Sequence, residues 1–242
     1  MDENRLLLSR LDDLIYKYYC SEVEGFGFLN ELEVSTAHGY LKNQGIEHTF
    51  FGGYNSASRM YLYLTDDING YDDIALIKIT AKGSVNLSHR DYLGSLMGLG
   101  INHDCVGDII IKDDFAVVFL RREISDYVIQ NLSSVGKAGV KVSLYNGDTS
   151  DFNTDFEDTE VLVTSMRIDN LITSLCKCSR QKANELIAND KVFINYLCAD
   201  KPSKTLSKGD TVSIRGFGKY KIGDILRNTK SGRLVLSVLQ YK

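Results

Sequence analysis

Met166-Arg167-Ile168-Asp169-Asn170-Leu171-Ile172-Thr173-Ser174-Leu175, continued by Cys178-Ser179-Arg180-Gln181-Lys182-Ala183-Asn184-Glu185-Leu186-Ile187, is the stretch that sets the fold of the last third of this chain. Ile168, Leu171, Ile172 and Leu175 recur at three and four, which places them on one face of a helix. Ser179 has the side-chain oxygen that the unpaired N–H groups of a second helix need, and Ala183, Leu186 and Ile187 form that helix's buried stripe. Asn189-Asp190 ends it. Val192–Asn195 then reads as a short strand, Gly209-Asp210 as a turn and Thr211–Arg215 as a further strand. Gly216 to Lys242 is strand-rich, with a turn at Thr229–Gly232.

Cations gather on this framework. Arg180 and Lys182 fall in the first turn of the second helix, where free N–H groups already carry partial positive charge. Arg167 lies near the start of the first helix, Lys201 and Lys204 flank Pro202 in a loop, and Arg215 follows a strand. Residues 160–242 hold 15 Lys/Arg against 7 Asp/Glu, a balance of +8, while residues 1–159 hold 13 against 25, a balance of −12. The net charge of −4 conceals this division. A lone surface lysine is ordinarily just solvated. Several cations from different elements suit the spaced phosphates of a nucleic-acid backbone. The pattern predicts a phosphate-contacting face joined to an acidic body that repels the same ligand.

Upstream, residues 74–150 read as β-α-β-β-α-β. Ile74–Ala81 alternates as a strand, and Ser88 caps a helix running to Leu99. Asp108–Lys112 and Phe115–Leu120 form a hairpin about Asp113-Asp114, Ile124–Val135 has helical spacing, and Val140–Tyr145 is a last strand. That order is the ferredoxin-like plait shared by RNA-recognition modules, a fold that serves many functions. Phe115 and Phe119 share a strand face, as stacking aromatics or core residues would, and core is the favoured reading. Residues 1–73 make an N-terminal α/β unit: an amphipathic helix over Glu3–Cys20, a second over Phe28–Asn43 closed by Gly45, a strand over Arg59–Thr65, and a turn at Asp66, Asp67, Asn69 and Gly70. Gly147–Glu160 is acidic and aperiodic, either a linker or the tail of the plait. The predicted class is α+β in three domains: 1–73, 74–150 and 160–242.

The composition excludes several functions. No apolar run approaches the ~18 residues that span a bilayer. The start of the chain lacks the apolar core of a signal peptide, so a cytoplasmic location and no membrane partner are expected. Five scattered cysteines argue against a disulfide framework. Cys176 and Cys178, read as two apart on a helix, would diverge by about 200° and make poor joint metal ligands. His38, His48, His89 and His103 have no ligand spacing, so neither a metal nor a cofactor is expected. His89-Arg90-Asp91 looks like the start of a kinase catalytic loop, but Leu96 stands where that loop needs asparagine. Gly216-Phe217-Gly218 lacks the third glycine of a dinucleotide fingerprint. No catalytic residue is assigned.

The residues also resemble two families. Met166–Asp169, Cys178–Ala183, Leu186-Ile187, Val192–Asn195, Lys201-Pro202-Ser203 and Gly209-Asp210 resemble the S-four RNA-binding domain. The resemblance implies that Arg167, Ser179, Arg180 and Lys182 face RNA, that Asp169 orients a neighbour, and that Ala183, Leu186 and Ile187 are core. Asp190 and Tyr196 stand where that family usually has glycine. His89 to Ile101, with Gly107-Asp108-Ile109, Gly52-Gly53-Tyr54, Ala57-Ser58-Arg59, Asn131-Leu132, Val135-Gly136 and Arg215 to Tyr220, resembles the YlmH family of bacterial RNA-binding proteins over about residues 48–242. Ser58 and Asn102-His103 depart from that family's usual glutamate and basic pair. The likeness implies binding to the large ribosomal subunit and its tRNA during quality control of stalled translation, together with a cell-division gene neighbourhood.

The expectation is therefore a non-enzymatic, monomeric protein binding structured rRNA or tRNA through Arg167, Ser179, Arg180, Lys182, Lys201, Lys204 and Arg215, with Arg90 added from the helix that follows Ser88. Two alternatives stay open, an RNA-modifying enzyme anchored by the basic module and a cell-division adaptor. Replacing Arg180 and Lys182 is expected to leave stability almost unchanged if both are simply exposed.

Overall fold

The structure is a computed structural model that describes residues 3–20, 25–65, 72–83, 85–149, 152 and 156–241. The turn expected at Asp66, Asp67, Asn69 and Gly70 lies outside these residues. The chain divides into two compact units, Met1–Asn153 and Thr154–Lys242.

The first unit opens with α1 (Glu3–Tyr19), which buries Leu7, Leu11 and Leu14. Next come β1 (Phe28–Leu29), α2 (Glu31–Asn43), β2 (Thr49–Phe51) and β3 (Met60–Tyr63), the three strands forming a sheet of order β1-β3-β2. The second helix starts three residues later than its periodicity suggests. Asn30 Oδ1 accepts from the N–H groups of Leu32 and Glu33, and the Glu33 carboxylate accepts the Asn30 N–H at 2.7 Å. This reciprocal cap fixes the first turn and leaves Phe28 to pair with Tyr61 across the sheet. Gly45, at φ +69°, closes the helix as expected.

The plait follows: β4 (Ile74–Ala81), α3 (His89–Gly98), a 3-10 turn (His103–Cys105), β5 (Val106–Ile111), β6 (Ala116–Arg121), α4 (Arg122–Asn131), β7 (Ser134–Val135) and β8 (Ala138–Leu144). The sheet order is β5-β6-β4-β8-β7, antiparallel throughout. The expected helix to Val135 stops at Asn131, because Gly136 at φ +56° turns Ser134-Val135 back onto Ala138-Gly139 as a hairpin. Val135 is buried all the same, so the apolar pattern is satisfied by a strand in place of a last helical turn.

One face of this sheet packs Ile77, Ile79, Val118 and Leu120 against Tyr92 and Leu96 of α3 and Val128 of α4. The opposite face is the one on which a recognition module displays aromatics. Here Val117 and Phe119 pack with Phe28, Tyr54, Tyr61, Tyr63 and Phe152, so the two sheets of the unit share one aromatic cluster. Phe119 is fully buried and stacks on Tyr54 at 5.0 Å. Gly53, at φ +91°, lies so close that a Cβ there would stand 2.7 Å from the Phe119 ring. Phe115 is only partly buried and carries the Lys78 ammonium 4.1 Å from its ring centroid.

The second unit contains β9 (Phe156–Val163), α5 (Ile168–Leu175), α6 (Arg180–Ala188), β10 (Val192–Ile194), β11 (Leu197–Cys198), β12 (Thr211–Ile214), β13 (Gly218–Asn228) and β14 (Leu234–Tyr241). Its sheet runs β11-β10-β12-β13-β14-β9. Ile168, Leu171 and Ile172 of α5 and Ala183, Leu186 and Ile187 of α6 join Val161, Val212, Ile222 and Val238 in a single core. The stripes that the spacing assigned to the two helices face this core, with Leu175 only partly buried against it.

Two readings change here. The acidic stretch splits: Phe152 belongs to the aromatic cluster of the first unit, whereas Phe156 to Glu160 begins β9, paired along the whole of β14. From 154 onward the unit holds 15 Lys/Arg against 10 Asp/Glu, which lowers the balance from +8 to +5. Cys176 and Cys178 do not share a helix, since α5 ends at Leu175 and Lys177 takes φ +47° between them. Both thiols pack against the core, and burial pushes that of Cys176 up to about 11.

Candidate nucleic-acid interface

The site starts from a buried carboxylate. Asp169 sits in the first turn of α5 and is 1% exposed. Burial alone would raise its pKa, yet the Arg167 and Arg180 guanidinium groups outweigh that and hold the carboxyl below its usual value. Arg167 donates to it from Nε at 3.1 Å and Nη2 at 2.9 Å, and Arg180 from Nε at 3.1 Å and Nη2 at 2.9 Å. The Asn170 N–H adds a fifth bond at 2.9 Å. Each guanidinium thus uses one edge internally, which leaves Nη1 of each for an outside acceptor. Their side chains are 38% and 61% exposed, so both reach solvent while fixed in orientation.

Local sequence explains the convergence. Arg167 is the residue before α5 and Arg180 the first residue of α6, so each helix start supplies one arginine whose side chain reaches the same carboxylate. Ser179 caps α6, its Oγ accepting the Lys182 N–H at 3.1 Å. Its first role is therefore structural, and its carryover as an RNA contact is limited to what the hydroxyl can still donate. Lys182 is exposed and pairs with Glu185 at 3.1 Å, one turn along the helix. Such a pair is weak, on the order of 0.5 kcal/mol, and gives way readily to phosphate.

The loop with Lys201 and Lys204 is bonded to the same place. Lys204 O accepts the Ile168 N–H at 2.9 Å, Pro202 O accepts the Asp169 N–H at 3.2 Å, and Thr205 bridges to Arg167. Lys201 lies 3.7 Å from Asp200, and both are well exposed. Five of the expected cations, Arg167, Arg180, Lys182, Lys201 and Lys204, therefore belong to one neighbourhood built on α5 and α6. Arg215 does not. Its N–H donates to Lys191 O, beyond the other end of α6, and its guanidinium lies 5.5 Å over the Phe193 ring. Arg90 is in the first unit, exposed in the first turn of α3. Beside it, Asp91 accepts from both the N–H and the hydroxyl of Ser88, so the kinase-like tripeptide is a helix start.

Arg180 also overturns one expectation. It is exposed but holds half of the Asp169 ion triad, so its removal costs stability as well as charge. Sequence reading also missed pairings made only by the fold. His38 Nδ1 and His48 Nε2 meet at 2.9 Å, although ten residues apart. Arg59 donates to the carbonyls of Val106, Phe28 and His103 while Asp108 accepts from Tyr54, Ser58 and Arg59, which ties β1, β3 and β5 together. Among the described residues, no group of three His, Cys, Asp or Glu is placed to hold a metal ion.

A plait in one unit and, in the other, a two-helix module whose Arg167 and Arg180 share a buried carboxylate are the parts of a modular RNA-binding protein. Residues 73–149 match the family described as "Putative RNA-binding domain in YlmH", and residues 166–212 match the S4 domain. The chain is 33% identical over 192 residues to the ribosome-associated protein quality control protein P2 of Bacillus subtilis (strain 168), covering 76% of this chain and 74% of that one. The chain belongs to the YlmH family. A solved structure described as cell division protein ylmH from Streptococcus pneumoniae shares the fold at a TM-score of 0.51, with 18% identity over 62% of this chain and 94% of that one.

Proposed function

We propose that this protein is a non-enzymatic factor that binds structured rRNA or tRNA on the large ribosomal subunit, in quality control of stalled translation, through the neighbourhood of Arg167, Arg180, Lys182, Lys201 and Lys204. The carrying observation is the ion triad, in which one buried carboxylate holds two arginines at the starts of two helices. Cations already fixed in place meet phosphates at a lower entropic cost than ones that must be ordered on binding. The name of the Bacillus subtilis relative supports the ribosomal setting. Arg90 and Arg215 are secondary contacts on this reading, and the protein works in the cytoplasm as a monomer. Among the described residues no helix is long and apolar enough to cross a membrane.

The test uses Lys182→Ala with Lys204→Ala, because neither residue holds the triad. Salt-dependent binding to ribosomal RNA should weaken, and the slope of log affinity against log salt should fall by about two. An unchanged slope would remove these lysines from the contact face. Crosslinking to ribosomes, followed by sequencing of the attached RNA, should recover large-subunit segments, and recovery of messenger RNA alone would refute the ribosomal part.

A further inference from the structure

The plait of the first unit carries a recess that the RNA-contact neighbourhood does not use. It lies between the β4–α3 connection and the turn that joins β5 to β6, and it encloses about 590 Å³. Val85, Leu87 and Ile111 give it apolar walls, and Asp113 and Asp114 stand at the turn. Both aspartates are exposed, and among the described residues neither carboxylate is held in an ion pair or a hydrogen bond. Tyr92 of α3 lines the same recess and is 4% exposed. Its hydroxyl bonds to no described residue, yet solvent reaches it. Burial, with Asp91 beside it, raises its pKa, so the hydroxyl stays protonated. A buried tyrosine ordinarily finds a partner for its hydroxyl, and this one lacks it. The neighbouring cations turn elsewhere. Lys112 borders the recess, but its ammonium stands 5.8 Å from the ring of Phe152, in the aromatic cluster on the sheet's opposite face. The Lys82 side chain runs alongside Gly139 of β8. Residues 1–153 as a whole hold 13 Lys/Arg against 22 Asp/Glu.

We propose that this recess is a docking site for a basic segment of a protein partner, and that it takes one arginine side chain of that segment. The guanidinium donates to the Asp113 and Asp114 carboxylates, and the Tyr92 hydroxyl accepts a further N–H. The aliphatic stem packs on Val85, Leu87 and Ile111. Each part of the ligand meets a group already in place. Arginine's planar fork suits carboxylates, and its stem covers apolar surface while the charged end is satisfied. A nucleic-acid strand is the poorer occupant. Its phosphates would come within a Debye length, about 8–10 Å, of two unpaired carboxylates on a unit of net negative charge. The α5–α6 neighbourhood and this recess thus select ligands of opposite sign. The inference goes beyond the RNA-binding reading and does not depend on it.

The experiment titrates the full chain with a glycine-arginine-glycine tripeptide, blocked at both ends, and follows backbone amides by NMR. Shifts should concentrate at Leu87, Tyr92, Asp113 and Asp114. The same tripeptide with citrulline, a neutral isostere of arginine, should bind on the order of tenfold more weakly. Asp113→Asn combined with Asp114→Asn should weaken the arginine peptide by on the order of tenfold, and asparagine keeps the turn formed. Tyr92→Phe should weaken it about threefold with an unchanged unfolding midpoint, because the hydroxyl holds nothing within the fold. A lower midpoint with unchanged affinity would make that hydroxyl structural and count against the site. Equal binding of the citrulline peptide, shifts scattered over the acidic surface, or aspartate variants that bind as the parent does would overturn the inference. So would oligouridine moving the same amides, which would give the recess to RNA.

Discussion

Two guanidinium groups share the carboxylate of Asp169, and that sharing governs what each can do. Asp169→Asn would leave Arg167 and Arg180 without their counter-charge. Both reach solvent, so the cost is about 1–2 kcal/mol, below that of a fully buried pair, and urea unfolding would measure it. The pH dependence follows from the lowered Asp169 pKa. Its stabilisation is complete above the ordinary carboxylate value of 3.8 and is lost as pH falls through the lower folded value. The parent should therefore lose more stability than the asparagine variant below about pH 4, and parallel acid limbs would contradict this. Tyr196 makes a second residue-level case. A tyrosine at φ +67° is strained by about 1–2 kcal/mol, offset by its contacts with Lys219. Tyr196→Gly should stay within about 1 kcal/mol of the parent, while the β-branched Tyr196→Val should fall by on the order of 1–2 kcal/mol. The sequence marked both positions, Asp169 as an orienting group and Tyr196 as a departure from glycine. It could not reveal Lys219 beside Tyr196, since they are 23 residues apart and meet only through the sheet.

Among elements, α6 is a short helix that draws on one capping side chain. It has nine residues, with Ser179 at its cap and no acidic residue in its first turn. Ser179→Ala should cost about 1 kcal/mol and loosen the start of the helix, seen as faster amide exchange at Lys182, whose N–H the hydroxyl oxygen holds. Protection unchanged at that amide would show that the cap is dispensable. Helices were legible wherever caps and spacing agreed, as at Ser88, Ser179 and the stripe Ala183, Leu186 and Ile187. They were misread where another element satisfied the same pattern. Phe28 is apolar and helically spaced, but the Asn30–Glu33 cap excludes it from α2. Val135 continues the apolar run of α4, but Gly136 turns it into a hairpin. The short β11 (Leu197–Cys198) has too few residues for any periodicity to register.

On the scale of the molecule, the two charge balances of the sequence mark two bodies, but the border lies earlier than composition suggested. Acidic β9 pairs with β14 from Phe156↔Tyr241 to Val163↔Leu234. Residues 154–242 made alone should unfold in one cooperative transition, since their core draws on Val161, Val163 and residues to Val238. A fragment starting at 164 would bare the edge of β14 and should aggregate, as light scattering would report. An equally soluble shorter fragment would mean that β9 is dispensable. The antiparallel register also has a mechanical consequence. Phe156 and Tyr241 stand opposite one another at the same end of neighbouring strands. Tension applied between these two points pulls across the strands, along the direction of their hydrogen bonds, and loads the bonds in succession. The unit would open like a zipper at low force, whereas a shear geometry would load all of them at once.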